Sequence, residues 1–251
     1  MITPYGVTRS GLRRQLLVHI EVEKPELADG RRKAAEYPAD ALPDTIAAVV
    51  GQAPAVMAWL KDVATALFTG FGRGVTWTTP AGFPVVVEHY RDKPRIVRWT
   101  PPGTQRRREL TLRVPAPKEL GVDLRQQRRT IAPNFVHALD AAHLMLTVRR
   151  LHGEGLRHFA VIHDSFGVHA CDTDQLARAL REEFVRMYRE LLLERFLNAQ
   201  LDALRVGRSP EELEALHAGG SFKKLEALRA TLPLTGDLAL DDVLRARYMF
   251  A

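Results

Sequence analysis

Hydrophobic positions follow a helical spacing towards both ends of this chain and a strand-like spacing in its middle. After Pro4 and Gly6, the stretch "TRSGLRRQLLVHI" is amphipathic and predicts a helix from about Arg9, followed by a polar region to about Asp40. Residues 44–69 are rich in Ala, Val and Leu at helical spacing, and Pro54 among them predicts two helices or one kinked helix. The pattern then turns to β type in "GRGVTWTTPAGFPVVVEHY". Val75 and Trp77 before a Thr-Pro-Ala-Gly turn, with Val85 to Val87 after it, predict a hairpin or a strand with a return. Two further β-like pieces, "RIVRW" and "ELTLRV", are broken by Pro101-Pro102-Gly103 and Pro115-Ala116-Pro117, and are expected to wrap the surface as strands and loops.

From Pro133 the spacing is helical again, with Pro133 suited to the first turn and Phe135, Leu139, Ala142 and Leu146 on one face. At about 100° per residue, His137 falls opposite that stripe with Asp140 and Leu144 beside it, so it points away from the core. After Gly153-Glu154-Gly155, the apolar runs "HFAVI" and "FGVHA" flank His163-Asp164-Ser165 and predict a β-hairpin with those three residues at its tip. Asp172 or Thr173 is placed to cap one long helix, "DQLARALREEFVRMYRELLLERFL". The closing "YMFA" is an apolar tetrapeptide expected to be buried or bound.

Composition narrows the class. With 251 residues and 46% hydrophobic content, the chain has enough apolar surface for an ordinary globular core. Its single cysteine, Cys171, permits no internal disulfide and no cysteine metal cluster, which reads as cytoplasmic. Neither a signal peptide nor a run of ~20 apolar residues is seen, so no membrane partner is expected. The net charge of +6 is concentrated: residues 91–130 hold twelve Lys/Arg against four acids, an excess above that of the whole chain. Such a segment suits a track along nucleic-acid phosphates, although a solvated basic loop has the same composition.

A carboxylate at a hairpin tip serves turn geometry, a salt bridge or chemistry. Asp164 follows a strongly apolar strand, which is a rigid mount for a metal ligand. Magnesium takes hard oxygen ligands and commonly keeps only one or two protein carboxylates. One aspartate is therefore half of a two-metal site, in which ions ~3.5–4 Å apart need a second carboxylate. A Ser-His-Asp relay is excluded because three consecutive residues point in different directions. His-Asp pairs of metal-dependent phosphohydrolases lie on helices, whereas this one lies on a turn.

Several stretches together resemble the single-subunit DNA-dependent RNA polymerases of bacteriophages and mitochondria: "PYGVTRSG", "WTTPAGFPVV", "TIAPNFVHALDAAHLMLTV", "FAVIHDSFGVHA" and the closing "RYMFA". They stand in the order of that family's carboxy-terminal third, and Ser165 after His-Asp favours the RNA polymerase branch over related DNA polymerases. The resemblance implies an α+β, mainly helical fold, part of a right-hand polymerase palm and fingers with an antiparallel motif C hairpin packed on helices. Residues 1–130 are expected to hold the end of fingers motif B, helices and the basic β/loop region. Residues 131–251 are expected to hold the palm helix, motif C hairpin, a long helix and the carboxy-terminal foot.

The roles it implies are specific. Asp164 resembles the motif C aspartate that ligates Mg2+, and His163 the neighbour that helps place the primer end. Tyr5, with Gly6, resembles the tyrosine at the end of the fingers helix that stacks near the incoming nucleotide and helps select ribose. His137 is similar to the histidine on the minor-groove side of the template–product hybrid. Phe250-Ala251 resembles the foot that packs near the active site. Arg106, Arg107, Arg108, Arg128 and Arg129 are the candidate contacts to the nucleic-acid backbone. The implied partners are a DNA template, an RNA product and nucleoside triphosphates, in a bacterial or phage-infected cytoplasm or an organelle matrix.

The sequence departs from the family at its front. It starts within motif B, so the triphosphate-gripping lysine and arginine of the fingers and the motif A aspartate are expected on a second polypeptide or a preceding part. On this reading the chain alone is inactive. The alternative is a catalytically inactive remnant acting as a basic nucleic-acid-binding module.

Overall fold

A computed structural model describes residues 9–27, 30–115, 120–246, 248 and 249. The first two helices, α1 (Arg9–Glu23) and α2 (Arg31–Val50), pair as a helical hairpin. Leu12, Ala35 and Ala39 are buried, and Arg9–Asp40, Arg13–Glu36 and Arg31–Glu21 ion pairs bridge the two helices. The polar region to Asp40 is thus largely helical: its small alanines allow close packing and its charges pair with α1. Gly51, at φ +57, ends α2, and α3 (Ala53–Phe71) starts with Pro54 in its first turn, so the proline separates two helices.

Strands β1 (Val75–Thr78) and β2 (Pro84–Val87) form the expected hairpin, in the register Trp77↔Val85. Buried glutamines seal its open edges. Gln200 receives the Thr76 N–H at 3.1 Å and donates to the Thr76 carbonyl at 2.6 Å, as a neighbouring strand would. Gln127 receives the His89 N–H at 3.3 Å and donates to the Val87 carbonyl. The basic pieces form a single antiparallel ribbon, β3 (Asp92–Trp99) against β4 (Arg108–Pro115), every residue of which is exposed. They stand off the body more than they wrap it.

Helix α4 (Leu124–Gly153) corrects the expected start at Pro133. Asp123 caps it by accepting the Arg125 and Gln126 N–H groups at 2.9 and 3.2 Å, which starts the helix well before the proline. Pro133 then sits inside, where its missing N–H leaves only the carbonyl of exposed Arg129 without a helical donor. The long helix expected after Asp172 is two, α5 (Thr173–Tyr188) and α6 (Leu192–Arg205). Leu176, Ala179 and Leu180 of α5 serve one apolar cluster, whereas Phe196, Leu197, Leu201 and Leu204 of α6 serve another, so the chain turns between them. Asp172 makes no side-chain cap; Thr173 donates its hydroxyl to the Ala170 carbonyl instead. Helices α7 (Pro210–Ala218), α8 (Gly220–Ala227) and α9 (Leu240–Arg245) complete the described α-helices.

The larger core lies among α3, α4, α6, α8 and the β1–β2 hairpin. At its centre the Phe196 ring meets Trp59, Trp77 and Phe135 at 6.2, 5.3 and 5.2 Å between centroids. The smaller core, Leu151, Leu156, Leu176, Ala179 and Leu180, takes Phe166 from the third hairpin, β5 (Ala160–Ile162) with β6 (Ser165–Gly167), and Phe159 and Val168 from the residues that flank it. This mainly helical α+β arrangement with small antiparallel hairpins agrees with the expected fold class. At the chain's end, Arg181 Nε and Nη2 hold the Ala246 carbonyl at 3.0 and 2.9 Å. Of the closing tetrapeptide expected to be buried or bound, Tyr248 is exposed and Met249 half-buried; Phe250 and Ala251 lie outside the described residues.

Candidate active site

Ile162 pairs directly with Ser165, so the hairpin tip is the two residues His163 and Asp164, with Ser165 already in β6. This corrects the expected three-residue tip. A two-residue hairpin turn requires positive φ, and His163 supplies it at φ +52 in place of the usual glycine. Left-handed backbone costs an L-residue ~1–2 kcal/mol, of which glycine's larger unfolded-state entropy would cancel ~0.5–1. His163→Gly is therefore expected to raise stability by about 0.5 kcal/mol, read as a higher urea midpoint. A lower midpoint would mean that the imidazole itself holds the turn.

The tip stands at the rim of a cavity of about 510 Å3, whose lining includes His137, Asp140, His143, Phe184 and Tyr188 as well as His163 and Asp164. Three elements converge there. Helix α4 contributes His137, Asp140 and His143 from successive turns, α5 contributes Phe184 and Tyr188, and the hairpin contributes the tip. As expected, Phe135, Leu139, Ala142 and Leu146 are buried while His137 is exposed. The hairpin is held from behind by Phe166, whose ring lies 6.0 Å from that of His143. Helices α4 and α5 are tied by Arg150, which pairs with Glu154 at 2.8 Å, with Glu183 at 3.5 Å and with Glu182. Asp164 is exposed, and no described residue donates a hydrogen bond to its carboxylate or pairs with it.

Two cavity residues are not marked as site residues by the sequence pattern. His143 is buried between the Phe166 and Phe184 rings and donates Nε2–H to the Leu180 carbonyl at 2.9 Å. Its signal in the sequence is a histidine at the margin of the apolar stripe. Asp140, half-buried, falls beside His137 in helical projection, with no local motif to mark it as a site residue.

Burial lowers the His143 pKa below its ordinary 6.5, against the opposing effects of the Leu180 carbonyl, Asp140 and Glu183. The native imidazole thus resists a proton that the unfolded chain accepts. This stability is fully present above about pH 6.5 and is lost as pH falls towards the native pKa, at up to ~1.4 kcal/mol per pH unit. Urea unfolding at pH 7.5, 6 and 5 should show a fall for the wild type that is shallower for His143→Gln; parallel profiles would refute this assignment. Tyr188, its ring 4.5 Å from that of Phe184, has its pKa raised by burial and then by the Asp140 charge.

The remaining expected site residues lie elsewhere. Tyr5 and Gly6 are outside the described residues. Arg106 and Arg107 are exposed in the β3–β4 connection, Arg108 opens β4, and Arg128 and Arg129 are exposed on the early turns of α4; none lines the cavity. Among the described residues, no group of three or more His, Cys, Asp or Glu is placed to hold a metal ion. For Mg2+ the chemistry fits in part. Asp164 is a hard oxygen donor on a fixed turn, free of protein partners among the described residues, beside a cavity with room for water and phosphate oxygens.

The sequence model of DNA-dependent RNA polymerases matches residues 1–232. DNA-directed RNA polymerase 3, chloroplastic, of Nicotiana sylvestris is 34% identical over 254 aligned residues, covering all of this chain and 22% of that protein. DNA-directed RNA polymerase 1, mitochondrial, of Arabidopsis thaliana is 34% identical over 201 residues, covering 79% of this chain and 19% of that protein. DNA-directed RNA polymerase 2A of Nicotiana tabacum is 32% identical over 252 residues and is covered to 66% of its length. The chain thus spans about a fifth of most of these relatives, 22% of the first. The extent of the match, together with the His-Asp hairpin and the histidine-bearing helix beside it, shows that the chain belongs to the DNA-dependent RNA polymerase family, in its single-subunit phage and mitochondrial type.

Proposed function

We propose that this chain is the carboxy-terminal part of a single-subunit DNA-directed RNA polymerase, which adds nucleotides from nucleoside triphosphates to an RNA 3′ end under the direction of a DNA template. The observation that carries the reading is Asp164: an unpartnered carboxylate among the described residues, on a left-handed two-residue tip, at the rim of a cavity shared with His137 and His163. In this reaction the 3′-hydroxyl oxygen bonds to the α-phosphorus, the bond to the bridging oxygen of pyrophosphate breaks, and the hydroxyl proton is lost. When bound, Mg2+ neutralises the attacking and leaving oxygens of this displacement. Asp164 would hold the ion, and the packing of Phe166 against the smaller core keeps the hairpin that carries this carboxylate in place. His163 orients the primer end, and His137 faces the template–product hybrid across the cavity. Tyr5 and Gly6 receive the nucleotide.

Positioning of this kind needs a second carboxylate and a cation for the triphosphate. Both are assigned to motif A and the fingers helix, on a second polypeptide or a preceding part of the same protein. The exposed arginines 106–108, 128 and 129 track phosphates, which carry no sequence information and suit the copying of any template. The relatives named chloroplastic or mitochondrial are compatible with an organelle matrix, and no described helix is long and apolar enough to cross a membrane.

The test is template-directed incorporation of labelled nucleotide with Mg2+, by this chain alone and with a polypeptide supplying motif A and the fingers lysine. Incorporation only in the combination supports the proposal. Salt-dependent nucleic-acid binding indifferent to Asp164, with no incorporation by the complete assembly, would favour a binding module.

A further inference from the structure

We propose that Asp140 is a specificity-determining residue: its carboxylate accepts a hydrogen bond from a ribose 2′-hydroxyl of the RNA strand near its 3′ end. The inference rests on the polymerase reading above and assigns it a further contact.

Asp140 lies one turn of α4 beyond His137, on the same side of the helix and ~4.5 Å further along its axis, and both line the cavity that His163 and Asp164 border. Its charge acts on two other cavity residues, raising the pKa of Tyr188 and opposing the downward shift of His143. Yet no described residue donates a hydrogen bond to the Asp140 carboxylate or forms an ion pair with it. This chain has 36 Lys and Arg, and its arginines take up acids such as Glu154, Asp202 and Asp242. A half-buried carboxylate kept clear of them, beside a cavity with room for a nucleotide-sized group, is arranged for a donor that arrives with the ligand.

The chemistry of that donor is restricted. An ionised carboxylate only accepts hydrogen bonds, so phosphate oxygens are repelled and cannot satisfy it. On a paired template–product hybrid, the donors that reach a protein from the shallow groove are the guanine amino group and the RNA 2′-hydroxyl. An enzyme that copies every sequence cannot depend on guanine at one position. The 2′-hydroxyl recurs at every step, lies in the shallow groove and is absent from DNA. Asp140 therefore reads the sugar and not the base.

Fluorescence anisotropy with this chain tests the assignment at fixed salt. The probes are two RNA–DNA hybrids of one sequence, differing only in whether the last few nucleotides at the product 3′ end carry 2′-hydroxyls or are 2′-deoxy. The wild type is expected to bind the ribose form about tenfold more tightly, as for one hydrogen bond to a charged group. Asp140→Leu, similar in size and without an acceptor, should bring that ratio to about one, while Asp140→Asn, which keeps an acceptor oxygen, should retain part of it. Both affinities come from one preparation, so a variant that folds incompletely alters them alike and leaves the ratio intact. A ratio unchanged in Asp140→Leu overturns the proposal, as does a wild type that binds both hybrids equally; the polymerase reading then still stands on incorporation. Failure of the wild type to bind either hybrid contradicts the polymerase reading itself, and the inference with it.

Discussion

Asp164→Asn in the complete assembly is expected to lower template-directed incorporation by about a thousandfold or more while leaving the fold intact. The size of the loss follows from the role. Neutralising the oxygens of the displacement supplies several kcal/mol of the barrier lowering, and about 4 kcal/mol corresponds to a factor near 10³. Asparagine has almost the shape of aspartate and similar turn preferences but lacks the charge that holds a magnesium ion. Stability should move by no more than ~0.5 kcal/mol, because the carboxylate is exposed and no described residue bonds to it. Steady-state incorporation and urea unfolding of the same preparations separate the two effects. Activity above about a tenth of wild type would remove Asp164 from the metal site.

The second large effect is on stability. Phe196→Ala is expected to cost ~3–5 kcal/mol, the range for deleting a large aromatic side chain from a packed interior. Phe196 is 2% exposed and is the ring on which Trp59, Trp77 and Phe135 converge, so truncation removes edge-to-face contacts with Trp77 and Phe135 and a tilted contact with Trp59, and leaves a void that the surrounding helices and hairpin cannot fill. Val206→Ala, at a position 80% exposed, provides the control and should change stability by no more than ~0.5 kcal/mol. Denaturant unfolding followed by tryptophan fluorescence measures both, since two of the three tryptophans lie beside the deleted ring. A loss below about 1 kcal/mol for Phe196→Ala would show that the larger core does not depend on this cluster.

Much of the site was legible because local periodicity carries it. The stripe of Phe135, Leu139, Ala142 and Leu146 puts His137 on the opposite side of its helix, and the two apolar runs around His163-Asp164 predict a hairpin. The departures from local pattern share a cause. Pro133 suggested a helix start because a proline is cheapest there, but the Asp123 cap and the packing of Ile131 and Ala132 extend the helix through it. One apolar pattern ran through residues 174–197 and suggested a single helix, but its two halves face different clusters. The count of tip residues depends on cross-strand register, set by the pairing of Ile162 with Ser165.

By itself the sequence determined the alternation of helices and hairpins, the place of the His-Asp turn and the family, because hydrophobic spacing and a few ordered motifs are local properties of the chain. Only the tertiary structure decided that His143 is a buried, neutral link between α4 and α5, that Asp140 and Tyr188 share the cavity of Asp164, and that the basic pieces form an exposed ribbon. The physical reason is that burial, charge environment and hydrogen-bond partners depend on residues distant in the chain. For His143, that partner is the Leu180 carbonyl, 37 positions away.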